Sequence, residues 1–213
     1  MIKQNLDLNQ LLDLSDKALK NKDYVTAKKI LEKVILTNKD IPEVYNNLGI
    51  ICLNSKNIKA SINYFIQAIK LNPKFSMAYC NLGLAYNKIS QFEKATENYL
   101  KAIESDKKNI VAYFNIGNLF KIKGDLDQAE KNFNKAINLN PNMIMAYNNL
   151  FEIFDRSNQF KKLENILNKA KQKFGNHPLV IFFLGIYEYK KKNYNEVIKI
   201  YEKIVLDKND IGR

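Results

Sequence analysis

Residues 78–83 read AYCNLG, and this hexapeptide decides the fold because it returns. VYNNLG stands at 44–49, AYFNIG at 112–117 and AYNNLF at 146–151, each 34 residues from the next. Extended outward, the period gives six units that start at residues 8, 42, 76, 110, 144 and 178 and run to 211 without insertion or deletion. Self-similarity at a fixed period of this length marks a repeat architecture, in which each repeat is one supersecondary unit that buries its apolar face against its neighbours.

The pattern inside a unit predicts two helices. The fourth position is Leu11, Tyr45, Tyr79, Tyr113, Tyr147 and Ile181, and the seventh is Leu14, Leu48, Leu82, Ile116, Leu150 and Leu184. The eighth is small in Ser15, Gly49, Gly83, Gly117 and Gly185, with Phe151 the exception. The twentieth is Ala27, Ser61, Ala95 and Ala129, then Leu163 and Val197. The twenty-fourth is Leu31, Phe65, Tyr99, Phe133, Leu167 and Tyr201, and the twenty-seventh is Val34, Ala68, Ala102, Ala136, Ala170 and Ile204. Spacings of three, four and seven place these residues on one face of each helix. Small residues at eight and twenty let the pair approach closely. LNP at 71–73 and 139–141 stops the second helix, since proline lacks the amide donor and disfavours helix before it. In the fifth unit Phe151, Leu163 and KFGN (173–176) break the pattern, so its helices are expected to sit further apart.

The motif Y-x-x-L-G-x-x-Y…A-x-x-x-F-x-x-A…P, nearly complete in the units starting at 76 and 110, resembles the tetratricopeptide repeat, and the resemblance covers nearly the whole chain. It implies an all-α, right-handed superhelical solenoid of six helix-turn-helix units, with residues 1–213 forming a single array whose first helices line a concave groove. It also implies that positions 2, 5, 6, 9, 12 and 13 of each unit face that groove.

Asparagine dominates those positions, with ten of the 36, and Asn47, Asn81, Asn115 and Asn149 occupy the sixth place of successive units. Asparagine is a poor helix former, and its amide carries both donor and acceptor. The expectation is an amide kept solvated in an open groove until it pairs with the backbone of a bound peptide. With neighbouring helices about 8–10 Å apart and extended chain advancing about 3.3 Å per residue, one rung matches about three peptide residues. Such a ladder is similar to the asparagine arrays in the repeats of O-linked N-acetylglucosamine transferase. Asn118, Lys88 and Lys121 complete the candidate peptide-binding set. The apolar groove members are Met77, Leu84, Val111, Phe114, Met145, Phe182 and Phe183.

The net charge of +12 raises the question of nucleic acid. The groove, however, balances Asp13, Asp16, Glu43, Glu152 and Asp155 against Lys20, Lys88, Lys121, Arg156 and Lys190. The excess therefore lies on the convex side, edges and loops, which fits a solvated surface better than a basic binding stripe. The two-carboxylate clamp of chaperone-binding repeats is also missing. The fifth positions are Leu12, Asn46, Cys80, Phe114, Asn148 and Phe182, and no sixth position is Arg.

No catalytic constellation stands in these residues. Phosphate-loop, dinucleotide, Cys-x-x-Cys and His-Glu-x-x-His patterns are absent, so neither an enzyme, a cofactor nor a metal is expected. The one histidine, His177, cannot build a metal site or a triad alone, and Cys52 and Cys80 read as free thiols of a reducing compartment. No apolar run reaches the roughly 18 residues of a membrane helix, and the start lacks a signal-peptide cleavage site, so a cytoplasmic location is expected. The last helix carries Val197, Ile198, Ile200, Tyr201, Ile204, Val205 and Leu206 with only DKNDIGR after it. A solenoid end needs a polar face or a cap, so a missing C-terminal cap or domain is expected, with homodimerisation through that helix as the other outcome. The functional expectation is a scaffold that binds an extended peptide or partner segment. The alternative is the substrate-recruiting N-terminal arm of a glycosyltransferase- or sulfotransferase-type enzyme.

Overall fold

In the computed structural model, which describes residues 6–209 with side chains through Glu202, a helix begins wherever a repeat begins. α1 (Leu8–Lys20) and α2 (Tyr24–Thr37) form the first repeat, and α3 (Pro42–Asn54) and α4 (Ile58–Leu71) the second. α5 (Ser76–Lys88) and α6 (Phe92–Ser105) form the third, and α7 (Ile110–Lys123) and α8 (Leu126–Leu139) the fourth. α9 (Ile144–Arg156) and α10 (Phe160–Phe174) form the fifth, and α11 (Pro178–Lys190) and α12 (Tyr194–Asn209) the sixth. No strand occurs among the described residues. The architecture is an all-α solenoid of helix-turn-helix units. The chain divides into two compact units, residues 1–115 and 116–213, with the division inside α7. The side chains of Ile204, Val205 and Leu206, and the tail after residue 209, lie outside the described residues.

The turn inside every repeat is built the same way. Its fifteenth residue adopts a left-handed conformation: Lys22, Lys56, Ser90, Gly124, Asn158 and Lys192 all have φ between 54° and 81°. The next amide then reaches back five residues, as in Asn57 N–H to Cys52 O at 2.9 Å and Asp125 N–H to Phe120 O at 3.0 Å. This satisfies carbonyls that the helix end would leave without a partner. Three of the sixteenth residues then cap the second helix. Asp23, Asn57 and Asp125 accept the amides of Thr26, Ala60 and Gln128 at 3.1–3.2 Å. Pro42 and Pro178 occupy the first turn of α3 and α11, where a missing donor costs nothing. α4 and α8 end at Leu71 and Leu139, two residues before a proline, as the LNP stops predict.

Packing between paired helices rests on a glycine facing a large ring. A methyl group on Gly83 would stand 2.7 Å from Tyr99 Cε1, and one on Gly117 would stand 2.7 Å from Phe133 Cε1. Gly49 meets Phe65 and Gly185 meets Tyr201 in the same way. Phe65, Tyr99 and Phe133 are fully buried, and each such ring contributes about 2–3 kcal/mol. Where serine takes a small position, its hydroxyl turns back onto its own helix: Ser15 Oγ donates to Leu12 O and Ser61 Oγ to Ile58 O, both at 2.7 Å. In the first compact unit Ser76 Oγ donates to Ala102 O at 2.7 Å and accepts from Asn109 Nδ2 at 2.8 Å, closing the third repeat on itself.

The fifth repeat inverts the size rule. Phe151 sits where a small residue usually stands, and the facing position is Leu167 instead of an aromatic ring. Phe151 is buried and stacks on Phe183 of α11, centroids 3.9 Å apart.

Candidate functional site

In the first compact unit six of the predicted groove positions line one cleft. A cleft of about 570 Å³ is lined by Leu12, Asp16, Glu43, Asn46, Asn47 and Met77, all of them at groove positions of the first three repeats. Its apolar wall is completed by Ile41, Val44 and Phe75. Met77 is 51% exposed. Asp16 and Glu43 have no ion-pair partner among the described residues.

The asparagines are not equivalent. Asn81 Nδ2 donates to Asn46 Oδ1 at 2.9 Å, across a sequence separation of 35. Asn115 Nδ2 makes the corresponding contact, with the same separation, to Cys80 Sγ at 4.0 Å. The sixth residue of one repeat thus reaches the fifth residue of the repeat before it. For Asn47 that neighbour is Leu12, which offers no polar atom, and its amide has no partner among the described residues. Sequence reasoning placed the amides in the groove but missed this 35-residue linkage. The signal for it is the pairing of a polar fifth residue with the next unit's sixth, as in Asn46 with Asn81. Lys88 is exposed on the same helix as Asn81.

The second compact unit treats its asparagine differently. Asn149, 5% exposed, donates Nδ2 to Met145 O at 3.0 Å and accepts a hydrogen bond from Lys121 Nζ. Lys121 also binds Glu152 Oε2 at 3.0 Å, and Asn148 Nδ2 donates to Glu152 Oε1 at 3.0 Å. Burial pushes the Glu152 carboxyl up, but the hydrogen bond and charge of Lys121 outweigh it and hold the group below its ordinary value. Lys190 closes a further pair with Asp155 at 2.8 Å. Both predicted groove cations with partners here, Lys121 and Lys190, are held by groove acids. Asn118 is half-buried, with no hydrogen-bond partner among the described residues. Met145 and Phe182 are exposed, whereas Phe183 is buried under Phe151.

Among the described residues no cluster of His, Cys, Asp and Glu could hold a metal ion, and no helix is long and apolar enough to cross a membrane. The cysteines are buried and free. Burial pushes the Cys80 thiol up to about 12, with the Asn115 amide opposing, and it raises Cys52 as well.

The tetratricopeptide-repeat family model matches residues 42–75, 76–109 and 110–143, the same boundaries that the period sets. The chain carries tetratricopeptide repeats, and the helices of the first, fifth and sixth units keep their register. Among solved structures it is similar to PilF of Pseudomonas aeruginosa, with TM-score 0.79 and 13% identity over 92% of this chain and 89% of that one. It is similar to YrrB, a TPR protein with an unusual peptide-binding site, with TM-score 0.62 and 17% identity over 81% of this chain and 89% of that one. MamA from Desulfovibrio magneticus RS-1 gives TM-score 0.64 and 21% identity over 76% of this chain and 92% of that one. At these identities the likeness shows the fold alone. No curated protein matches the sequence.

Proposed function

We propose that this chain is a non-catalytic interaction scaffold and that its first compact unit binds an extended polypeptide segment along the groove. The observation that carries this reading is the amide arrangement beside the cleft. Asn47 presents an amide with no protein partner, and the bond from Asn81 to Asn46 fixes one amide hydrogen while leaving Asn81 Oδ1 as an acceptor. An oriented acceptor and a free donor–acceptor pair suit the N–H and C=O of an extended backbone. Asn115 is the third rung. In the second unit Lys121 occupies the oxygen of Asn149, so Asn149 and Lys121 stabilise the array there and bind no peptide. Lys88 flanks the bound segment. That YrrB, of the same fold, has a peptide-binding site adds support.

The test uses an array of synthetic dodecapeptides of mixed composition, probed with the whole chain and with Asn47→Ala. This substitution removes no internal hydrogen bond, so the fold is kept, as circular dichroism checks. One lost backbone contact costs about 1 kcal/mol, or about fivefold in affinity. Bound peptides that weaken by this factor support the groove. Peptides that bind both proteins equally refute it.

A further inference from the structure

The chain carries 34 lysines and arginines against 22 acids, yet the two carboxylates on the cleft of the first unit attract none of those cations. In the second compact unit the groove acids are matched: Glu152 is held by Lys121 and Asp155 by Lys190. Asp16 comes from α1 and Glu43 from the first turn of α3, so two helices bring them to one rim. The same cleft is lined by the apolar side chains of Val44, Phe75 and the half-exposed Met77. The volume, about 570 Å³, falls within the roughly 300–1,000 Å³ of ligand pockets.

We infer that the cleft between α1, α3 and α5 selects a cationic segment of a partner protein, one in which lysine or arginine flanks a bulky apolar side chain. This rests on the peptide-binding reading above and adds the partner's chemistry to it. The apolar side chain enters against Val44, Phe75 and Met77. The neighbouring cation meets Asp16 and Glu43 at the rim, and Asn47 and Asn81 hold the backbone beside them. The surrounding positive surface shapes the preference in the other direction. A segment bearing acids would be drawn to exposed lysines elsewhere on the chain but repelled at the cleft, so selectivity arises where the local charge opposes the net charge. Two rim carboxylates at partly exposed positions give modest affinity and strong dependence on salt.

The same dodecapeptide array decides the matter, with the Asp16→Asn, Glu43→Gln double variant beside wild type and Asn47→Ala. Both changes keep the shape of the side chain, and neither carboxylate has an internal ion pair to lose. The expected result is enrichment of peptides that place Lys or Arg beside Leu, Ile, Phe or Met. Their dissociation constants by fluorescence anisotropy rise about tenfold in the double variant, and high salt weakens them in wild type far more than in the variant. Peptides that weaken with Asn47→Ala but bind the carboxylate variant unchanged overturn the charge selection and leave the groove reading standing. Enrichment of acidic or neutral peptides overturns it equally. If no peptide binds, or if neither variant changes binding, both readings fall.

Discussion

Tyr99→Phe should make the protein more stable. The ring is fully buried between Gly83 and the body of α6, and its hydroxyl has no hydrogen-bond partner. Burial, together with the nearby Cys80 thiol, pushes that hydroxyl well above its ordinary pKa. An unpaired buried hydroxyl costs about 1–3 kcal/mol of desolvation. Deleting it leaves a void of about one oxygen atom, roughly 15 Å³, which costs ~0.4 kcal/mol at ~24 cal/mol per Å³. The net gain is about 1–2 kcal/mol. The neighbouring repeats already use the smaller ring at this place, in Phe65 and Phe133, so the packing tolerates it. Urea denaturation followed by circular dichroism should show a later midpoint with an unchanged slope, and the thermal midpoint should rise by about 3 °C for each kcal/mol. A fall in stability of about 1.5 kcal/mol or more, beyond what a conservative ring swap produces, would mean that the hydroxyl has a partner and that the burial argument is wrong.

Other consequences follow from the same packing. Gly83→Ala puts a methyl group 2.7 Å from the Tyr99 ring and should cost about 1–3 kcal/mol in the same denaturation assay. Ser90→Gly relieves a non-glycine residue at φ 59° and should stabilise by about 0.5–1 kcal/mol, after allowing for the greater freedom of glycine in the unfolded chain. The Cys80 thiol, pushed from 9.0 to about 12, should resist a thiol reagent at pH 8 until the protein unfolds. Its sign in the pH dependence is set by the same shift: a raised pKa favours the folded, protonated form, so stability is full below pH 9 and is lost progressively towards 12. Alkaline denaturation of Cys80→Ala should begin at higher pH than that of wild type.

The period made the helices readable, because six gapless units average out what any one residue obscures. All six first helices start where the repeats start, and α4 and α8 stop at the two LNP sites. The turns were harder. All six use a left-handed fifteenth residue, but only Gly124 is glycine; Asn158 tolerates this conformation, while Lys22, Lys56, Ser90 and Lys192 carry little turn signal. The repeat geometry, not local propensity, places them there. At the candidate site the face was readable and the state of its amides was not. Sequence spacing puts Asn81 and Asn149 at equivalent positions. Whether each amide is free depends on the repeat before it, where Asn46 binds the first and Lys121 the second. The cleft beside Asn47 was equally hidden, since it needs Ile41 and Phe75 from the connecting segments to close its wall.

The most direct test of peptide binding by the first unit follows the asparagine side chains themselves. A ¹⁵N-labelled protein would be titrated with the tightest peptide from the array while the side-chain amide resonances are observed, assigned through single Asn→Gln variants. Large shifts in Asn47, Asn81 and Asn115, with Asn149 nearly still, are predicted. Shifts confined to asparagines of the second helices, such as Asn98 and Asn132, would place the peptide on the other face and contradict the groove.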